Sequence, residues 1–235
     1  MTSRVVGGAS TAASTTIEAI DVSGFADVRA HWDFEADLED SSGNAYHLAN
    51  TAANQFVTIA GKTALASNAG TRLDEVAGVG NSPNLQITGA LTVHVLVYLN
   101  DGLHSSSAYL AAFLGTGETE AANILYALQI ATDSTLEYIH EYGSGSNANA
   151  YPELSGITGK WSLLTMTRDA AGRVLVLYID GEAVWTDTAA SAPTGGTTGE
   201  FVSEDVQGYL GQIVIDADEQ SASEVLAVAQ QVGVA

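Results

Sequence analysis

The chain has 235 residues, of which 46% are hydrophobic and only 15% charged, with 28 acidic against 7 basic side chains and a formal net charge of −21. That balance excludes nucleic acid as a direct partner, because phosphate binding needs clustered Lys and Arg, and it disfavours anionic membranes. No apolar run approaches the ~20 residues of a membrane span, and with no cysteine in the sequence neither a disulfide scaffold nor a thiolate site can form.

This length suits one large all-β domain with a substantial core. The acidic excess serves solubility or a salty medium, where screening weakens self-repulsion; both remain open. The start, Met1-Thr-Ser-Arg-Val-Val-Gly-Gly8, lacks the pattern of a secretory signal, so the expectation is a chain folded in a cytoplasm.

Residues 1–24 are rich in Ala, Ser, Thr and Gly and read as an extended N-terminal arm ahead of a domain at 25–235. Fixing each backbone residue costs on the order of 1–2 kcal/mol. An arm with so few large apolar groups therefore orders only against its own domain or neighbouring subunits, with neighbouring subunits preferred.

From Val28 the pattern becomes strand-like. Val28-Arg-Ala-His-Trp-Asp-Phe-Glu35 alternates at the two-residue period of a half-buried strand, and Asp40-Ser-Ser-Gly-Asn44 is turn chemistry. Short strands are predicted at 55–60, 63–67 and 72–76. Leu91-Thr-Val-His-Val-Leu-Val-Tyr-Leu99 is the strongest, with Leu91, Val93, Val95, Val97 and Leu99 on one face. Strands follow at Tyr109–Leu114, Ile124–Ile130 and Thr135–Tyr142, then a flexible loop at Gly143–Asn149. Trp161–Arg168 and Arg173–Ile179 form a hairpin. Asp180-Gly181 is a type I′ turn signal into Glu182–Thr186. A Thr/Gly loop at Ala189–Gly199 precedes a last strand at Val206–Ile215. Ser221-Ala-Ser-Glu224 has capping-box spacing, so a short helix is predicted at 222–231 with Val225, Leu226, Val228 and Ala229 on one face. Many short strands with one terminal helix make an antiparallel two-sheet sandwich or jelly roll.

Four places, in order, resemble the concanavalin A-like lectin/glucanase superfamily, specifically its laminin-G-like jelly rolls. They are His31-Trp-Asp-Phe-Glu35 with Asp40–Asn44, then Leu91–Tyr98, then Gly159-Lys-Trp161 leading to Leu177-Tyr-Ile-Asp-Gly181. The last is Gly208-Tyr-Leu-Gly211 with Ile213–Asp216 and Ser221–Glu224. The resemblance covers about residues 28–232 and implies the fold; the same sandwich hosts lectins, adhesion modules, glycosidases and inert domains.

The resemblance implies three kinds of site. Glu35-Ala-Asp-Leu-Glu39 is similar to the family's glucanase motif, whose paired carboxylates must lie about 5–5.5 Å apart in retaining enzymes. Here it follows a strand and runs into a turn, so a solvated acidic loop and no enzyme activity is the expectation. A structural Ca²⁺, which wants six to eight oxygen ligands, would use Asp40, Asn44 and Asp216. The alternative is that Asp40 and Asn44 only cap a turn and Asp216 is a surface residue. A glycan face needs aromatic rings with amides beside them. Tyr138, Tyr142 and Tyr151 with Asn147 and Asn149 are its candidates, or else ordinary sheet residues, while Trp161 and Trp185 fit the core. The five histidines, His31, His47, His94, His104 and His140, show no metal-pair spacing, and His94 is expected on an outer or concave sheet surface.

Two functions follow as expectations. The first is a virion structural protein of a phage or archaeal virus, a capsid decoration, head-fibre or tail-associated subunit. It would fold in the host cytoplasm, be exposed by lysis, bind other virion subunits or its own copies through the arm, and contact host-surface glycans. The alternative is a carbohydrate-binding module or adhesin domain of a bacterial surface protein, at the cell surface or secreted.

Overall fold

The computed structural model describes residues 17–50, 53–68, 70–75, 83–100, 107–115, 124–131, 135–142, 145–153, 156–193 and 199–235, with the backbone alone at 75, 115, 140–142, 145–153 and 200. In chain order the strands are β1 (Val28–Asp33), β2 (Leu48–Asn50), β3 (Phe56–Ile59), β4 (Lys62–Ser67), β5 (Arg72–Glu75), β6 (Leu91–Leu99), β7 (Ala108–Gly115) and β8 (Ile124–Ile130). They continue as β9 (Thr135–Tyr142), β10 (Gly145–Glu153), β11 (Trp161–Arg168), β12 (Val174–Ile179), β13 (Glu182–Thr188), β14 (Gly199–Glu204) and β15 (Gly208–Asp216), and close with helix α1 (Ala222–Val232).

Two antiparallel sheets face each other. The first runs β13-β12-β11-β6-β15-β4-β3, with β1 also on β15; the second runs β10-β9-β8-β7-β14-β5-β2. The predicted all-β sandwich with a short C-terminal helix is the fold. Strand β15 shares one edge between two partners: residues 208–210 pair with β4 and residues 212–216 with β1. The register shift between Leu210 and Gln212 lies where the partner changes, and Gly211 sits in that bulge. A Cβ there would stand 3.0 Å from the Trp161 ring and 3.2 Å from the Leu96 carbonyl oxygen, so glycine lets these strands close up.

The alternation in β6 does what it predicts. Leu91, Val93, Val95, Val97 and Leu99 all lie in the core between the sheets, where Trp32 stacks on Phe201 at 4.5 Å. Asp180 and Gly181 both have positive φ, 51° and 85°, as a type I′ turn requires. Helix α1 has the capping box at Ser221 and Glu224 and ends on the left-handed Gly233.

Several expectations need correction. Gly145–Glu153, partly assigned to a flexible loop, is strand β10, because the whole edge of β9 supplies ladder partners that outweigh the poor intrinsic strand preference of Gly, Ser and Asn. Strands β2 and β14 escape the sequence reading because they are short and lack alternation. In α1 the buried face is Val225, Val228, Ala229 and Val232, while Leu226 is 40% exposed, since that stripe follows the i, i+3, i+4, i+7 rule.

The largest departure concerns the outer face of the first sheet. Thr92, His94 and Leu96 of β6 are as buried as their inward neighbours. A second apolar cluster explains it: Ile20 from the N-terminal segment and Val228, Ala229 and Val232 from α1 pack over Leu96, Trp161, Leu163 and Val214. Two hydrogen bonds hold this cover in place. The Glu18 N–H donates to the Val232 carbonyl at 3.3 Å, and the Ile20 N–H to Gln212 Oε1 at 2.7 Å. Residues 17–24, expected to belong to an arm, therefore close the chain's own domain. The rest of that arm, residues 1–16, lies outside the described residues.

Candidate functional site

The Asp40 loop is built around one carboxylate. Oδ1 accepts from the backbone N–H of His31 at 3.0 Å and of Ser42 at 2.9 Å. Oδ2 accepts from the Ser42 hydroxyl at 2.8 Å and the Tyr46 N–H at 3.0 Å. Four donors use the roughly four acceptor sites of a carboxylate. Asn44 Nδ2 donates to the carbonyls of Val28 and Arg29, and Asp216 Oδ1 accepts from the Asp27 N–H at 2.9 Å. Asp40, Asn44 and Asp216 thus all bind the backbone of one stretch, residues 27–31. Asp216 is not the surface residue offered as the alternative: it is 1% exposed, and burial pushes its carboxyl above the ordinary range. Among the described residues no group of three or more His, Asp or Glu side chains could hold a metal ion.

The acidic motif after β1 does not form a strand face. Glu35 sits in a turn and accepts from Lys62 Nζ at 3.1 Å, while Asp37 accepts the Glu39 N–H at 3.0 Å. Glu39 lies 2.6 Å from His47 Nδ1, so each of the three carboxylates has its own separate partner, unlike a nucleophile and acid placed across one bond.

The candidate glycan residues divide. Tyr138 is in the core, 1% exposed, and its hydroxyl accepts from Arg168 Nη1 at 3.1 Å; it cannot offer a ring to a sugar. Arg168, itself fully buried, also donates to the carbonyls of Ile87, Gly89 and Leu125, so it needs the tyrosine as a fourth acceptor. Tyr142, Asn147, Asn149 and Tyr151 lie on the neighbouring strands β9 and β10, where the register sets Asn147 opposite His140 and Asn149 opposite Tyr138; their side chains lie outside the described residues. Trp161 packs in the outer cluster and Trp185 against the inner core.

His94 is not on a surface. It is fully buried beneath the Phe25 ring, 5.5 Å away. Its Nδ1 lies 2.8 Å from Thr165 Oγ1 and its Nε2 3.0 Å from Gln220 Oε1. An amide oxygen only accepts, so Nε2 carries the proton and Nδ1 accepts from the threonine. Burial lowers its pKa to about 4, so the ring is neutral at pH 7. Gln220 ties the relay to Asp216 through its Nε2, at 3.5 Å, and its own N–H donates to Thr92 Oγ1 at 2.9 Å.

Over this relay opens a cavity of about 340 Å³, between the turn at 21–26 and the stretch from the end of β15 into α1. Its carboxylates come from Asp21, Asp216, Asp218 and Glu224, its apolar walls include Phe25 and Val228, and among the described residues no Lys, Arg or His lines it. Sequence reasoning missed it because its two sides are about 200 residues apart in the chain; the acid-rich Asp216-Ala-Asp-Glu-Gln220 was the only local signal.

With this geometry in hand, the likenesses to known proteins can be stated. The family model Laminin_G_3, described as the Concanavalin A-like lectin/glucanases superfamily, matches residues 70–213. No curated protein matches the chain. Among solved structures, the binding domain of botulinum neurotoxin DC in complex with rat synaptotagmin II is similar at a TM-score of 0.66 and 12% identity, over 88% of this chain and 52% of that one. A botulinum neurotoxin type C structure, concerned with cell entry through two ganglioside molecules, gives 0.66 and 12%, over 88% and 51%. Domain 4 of AbnA, a GH43 extracellular arabinanase from Geobacillus stearothermophilus, in complex with arabinotriose, gives 0.62 and 16%, over 88% of this chain and 100% of that one. The chain thus spans about half the length of the neurotoxin chains and the whole of the arabinanase domain, and at these identities the likeness is one of fold.

Proposed function

Because the chain belongs to the concanavalin A-like lectin/glucanases superfamily, we propose that it is a carbohydrate-binding module that performs no catalysis. One observation carries this reading. A single jelly roll, matched over its full length, is a domain solved with arabinotriose, so a sandwich of this extent is large enough to hold a sugar without further domains. The carboxylates of the one glucanase-like motif are engaged with Lys62, the Glu39 N–H and His47, which supports binding over hydrolysis. The test is an array of neutral and acidic glycans probed with the whole chain, run beside a reducing-sugar assay. Binding with no sugar released is expected; release of reducing sugar, or no binding to any glycan, would overturn the proposal.

A second reading, a subunit of a virus particle exposed on lysis, is favoured by the Ala/Ser/Thr/Gly-rich stretch before residue 17, a composition too poor in large apolar groups to build a core of its own. Its test is electron microscopy of the native source, where the protein would occupy fixed, symmetric positions on a particle. It is placed second because residues 17–24 of the expected arm are spent on the chain's own outer face.

A further inference from the structure

We infer that the cavity between the turn at 21–26 and α1 is a binding site for a neutral saccharide of one or two rings, which rests on the carbohydrate-binding reading above. Its volume, about 340 Å³, is at the lower end of ligand pockets. The lining supplies each part of sugar recognition. Phe25, half-buried, offers a ring on which the C–H face of a sugar can pack. Asp21 and Asp218 are exposed carboxylates that accept hydroxyl hydrogens.

Gln220 adds an amide to the lining. It is 7% exposed and lines the cavity. Its amide oxygen is used by His94, but its Nε2, with two hydrogens, has one protein acceptor among the described residues, Asp216 at 3.5 Å. An amide N–H donates to a sugar hydroxyl, and that hydroxyl donates in turn to the carboxylates beside it. His94, bonded to the amide oxygen, fixes the orientation of the amide from behind.

Charge decides which sugars fit. Among the described residues four carboxylates and no basic side chain line the cavity, so sialylated, sulfated or uronic glycans would bring like charge into a partly desolvated site.

The test uses the full chain and three probes, arabinotriose, lactose and sialyllactose, together with the glycan array. Ala227→Trp fills the cavity from an exposed helix position, and Asp218→Asn removes an exposed carboxylate without touching its carbonyl, which accepts from Thr92. Circular dichroism checks that both variants fold. A neutral glycan is expected to bind the parent chain, with affinity about tenfold weaker or worse in each variant, and the acidic probe is expected not to bind. Neutral-glycan binding equal in parent and variants, or preference for sialyllactose, would overturn this site while leaving the carbohydrate-binding reading intact. No binding to any array glycan would overturn both.

Discussion

Arg168 Nη1 donates to the Tyr138 hydroxyl at 3.1 Å across the gap between the sheets, joining β11 of the first sheet to β9 of the second. Both side chains are almost wholly removed from water. The guanidinium meets three carbonyls and one phenol, so its charge is held by dipoles.

The first prediction follows from that arrangement. Arg168→Met leaves three carbonyls and a hydroxyl without their donor, and should cost about 3 kcal/mol. Tyr138→Phe removes one acceptor of four and should cost about 1 kcal/mol. Urea unfolding checks both. A Tyr138 variant that lowers sugar binding should do so only in proportion to its unfolded fraction.

A second prediction concerns acid. The His94 pKa is about 4 in the folded chain against 6.5 when unfolded. Between those values the unfolded chain binds more protons, so the contribution of His94 is complete above pH 6.5 and is lost as pH falls towards 4. The loss is on the order of 3 kcal/mol. Asp33, Asp216 and Glu219 have raised pKa values, chiefly through burial. They work in the opposite direction, since their protonated forms favour the folded state as pH falls. The difference between the parent chain and His94→Gln isolates the histidine. It should slope through that window, and a flat difference would show that the ring is not buried.

The third prediction is about cations. With a net charge of −21, self-repulsion should ease as salt shortens the Debye length from ~30 Å at about 0.01 M to ~3 Å at about 1 M. Tm should rise over that range. Because Asp40 already accepts four protein donors, Ca²⁺ and Mg²⁺ at equal ionic strength should act alike and a chelator should leave Tm unchanged. A rise specific to Ca²⁺ would overturn this expectation.

The fourth prediction tests the contact between the hairpin turn and the helix. Gly181 has φ 85°, and a Cβ there would lie 2.9 Å from Leu226 Cδ1 and 3.0 Å from Ala229 Cβ. Gly181→Ala should therefore cost about 1–2 kcal/mol through backbone strain and displacement of α1. The companion variant Leu226→Ala should relieve only the contact with Leu226 Cδ1, since Ala229 Cβ and Leu226 Cα, each 3.0 Å from the added Cβ, remain; a double-mutant cycle would read that part as coupling.

What the sequence determined by itself was local. The β6 alternation, the Asp180-Gly181 turn and the Ser221–Glu224 cap each place their own few residues, because period, φ preference and capping act over neighbours in the chain. The strand pattern was therefore enough for the sandwich. It was not enough for the outer face of the first sheet, where His94 looks like any polar residue of a half-exposed strand. Only the tertiary structure brings the 17–25 segment and α1 together over that face, burying His94 and opening the cavity beside it. Tyr138 was misjudged for the same reason. Its partner Arg168 lies 30 residues away, and whether a tyrosine faces solvent or an arginine inside the core depends on which sheets stack, a long-range choice made by the burial of apolar area over the whole chain.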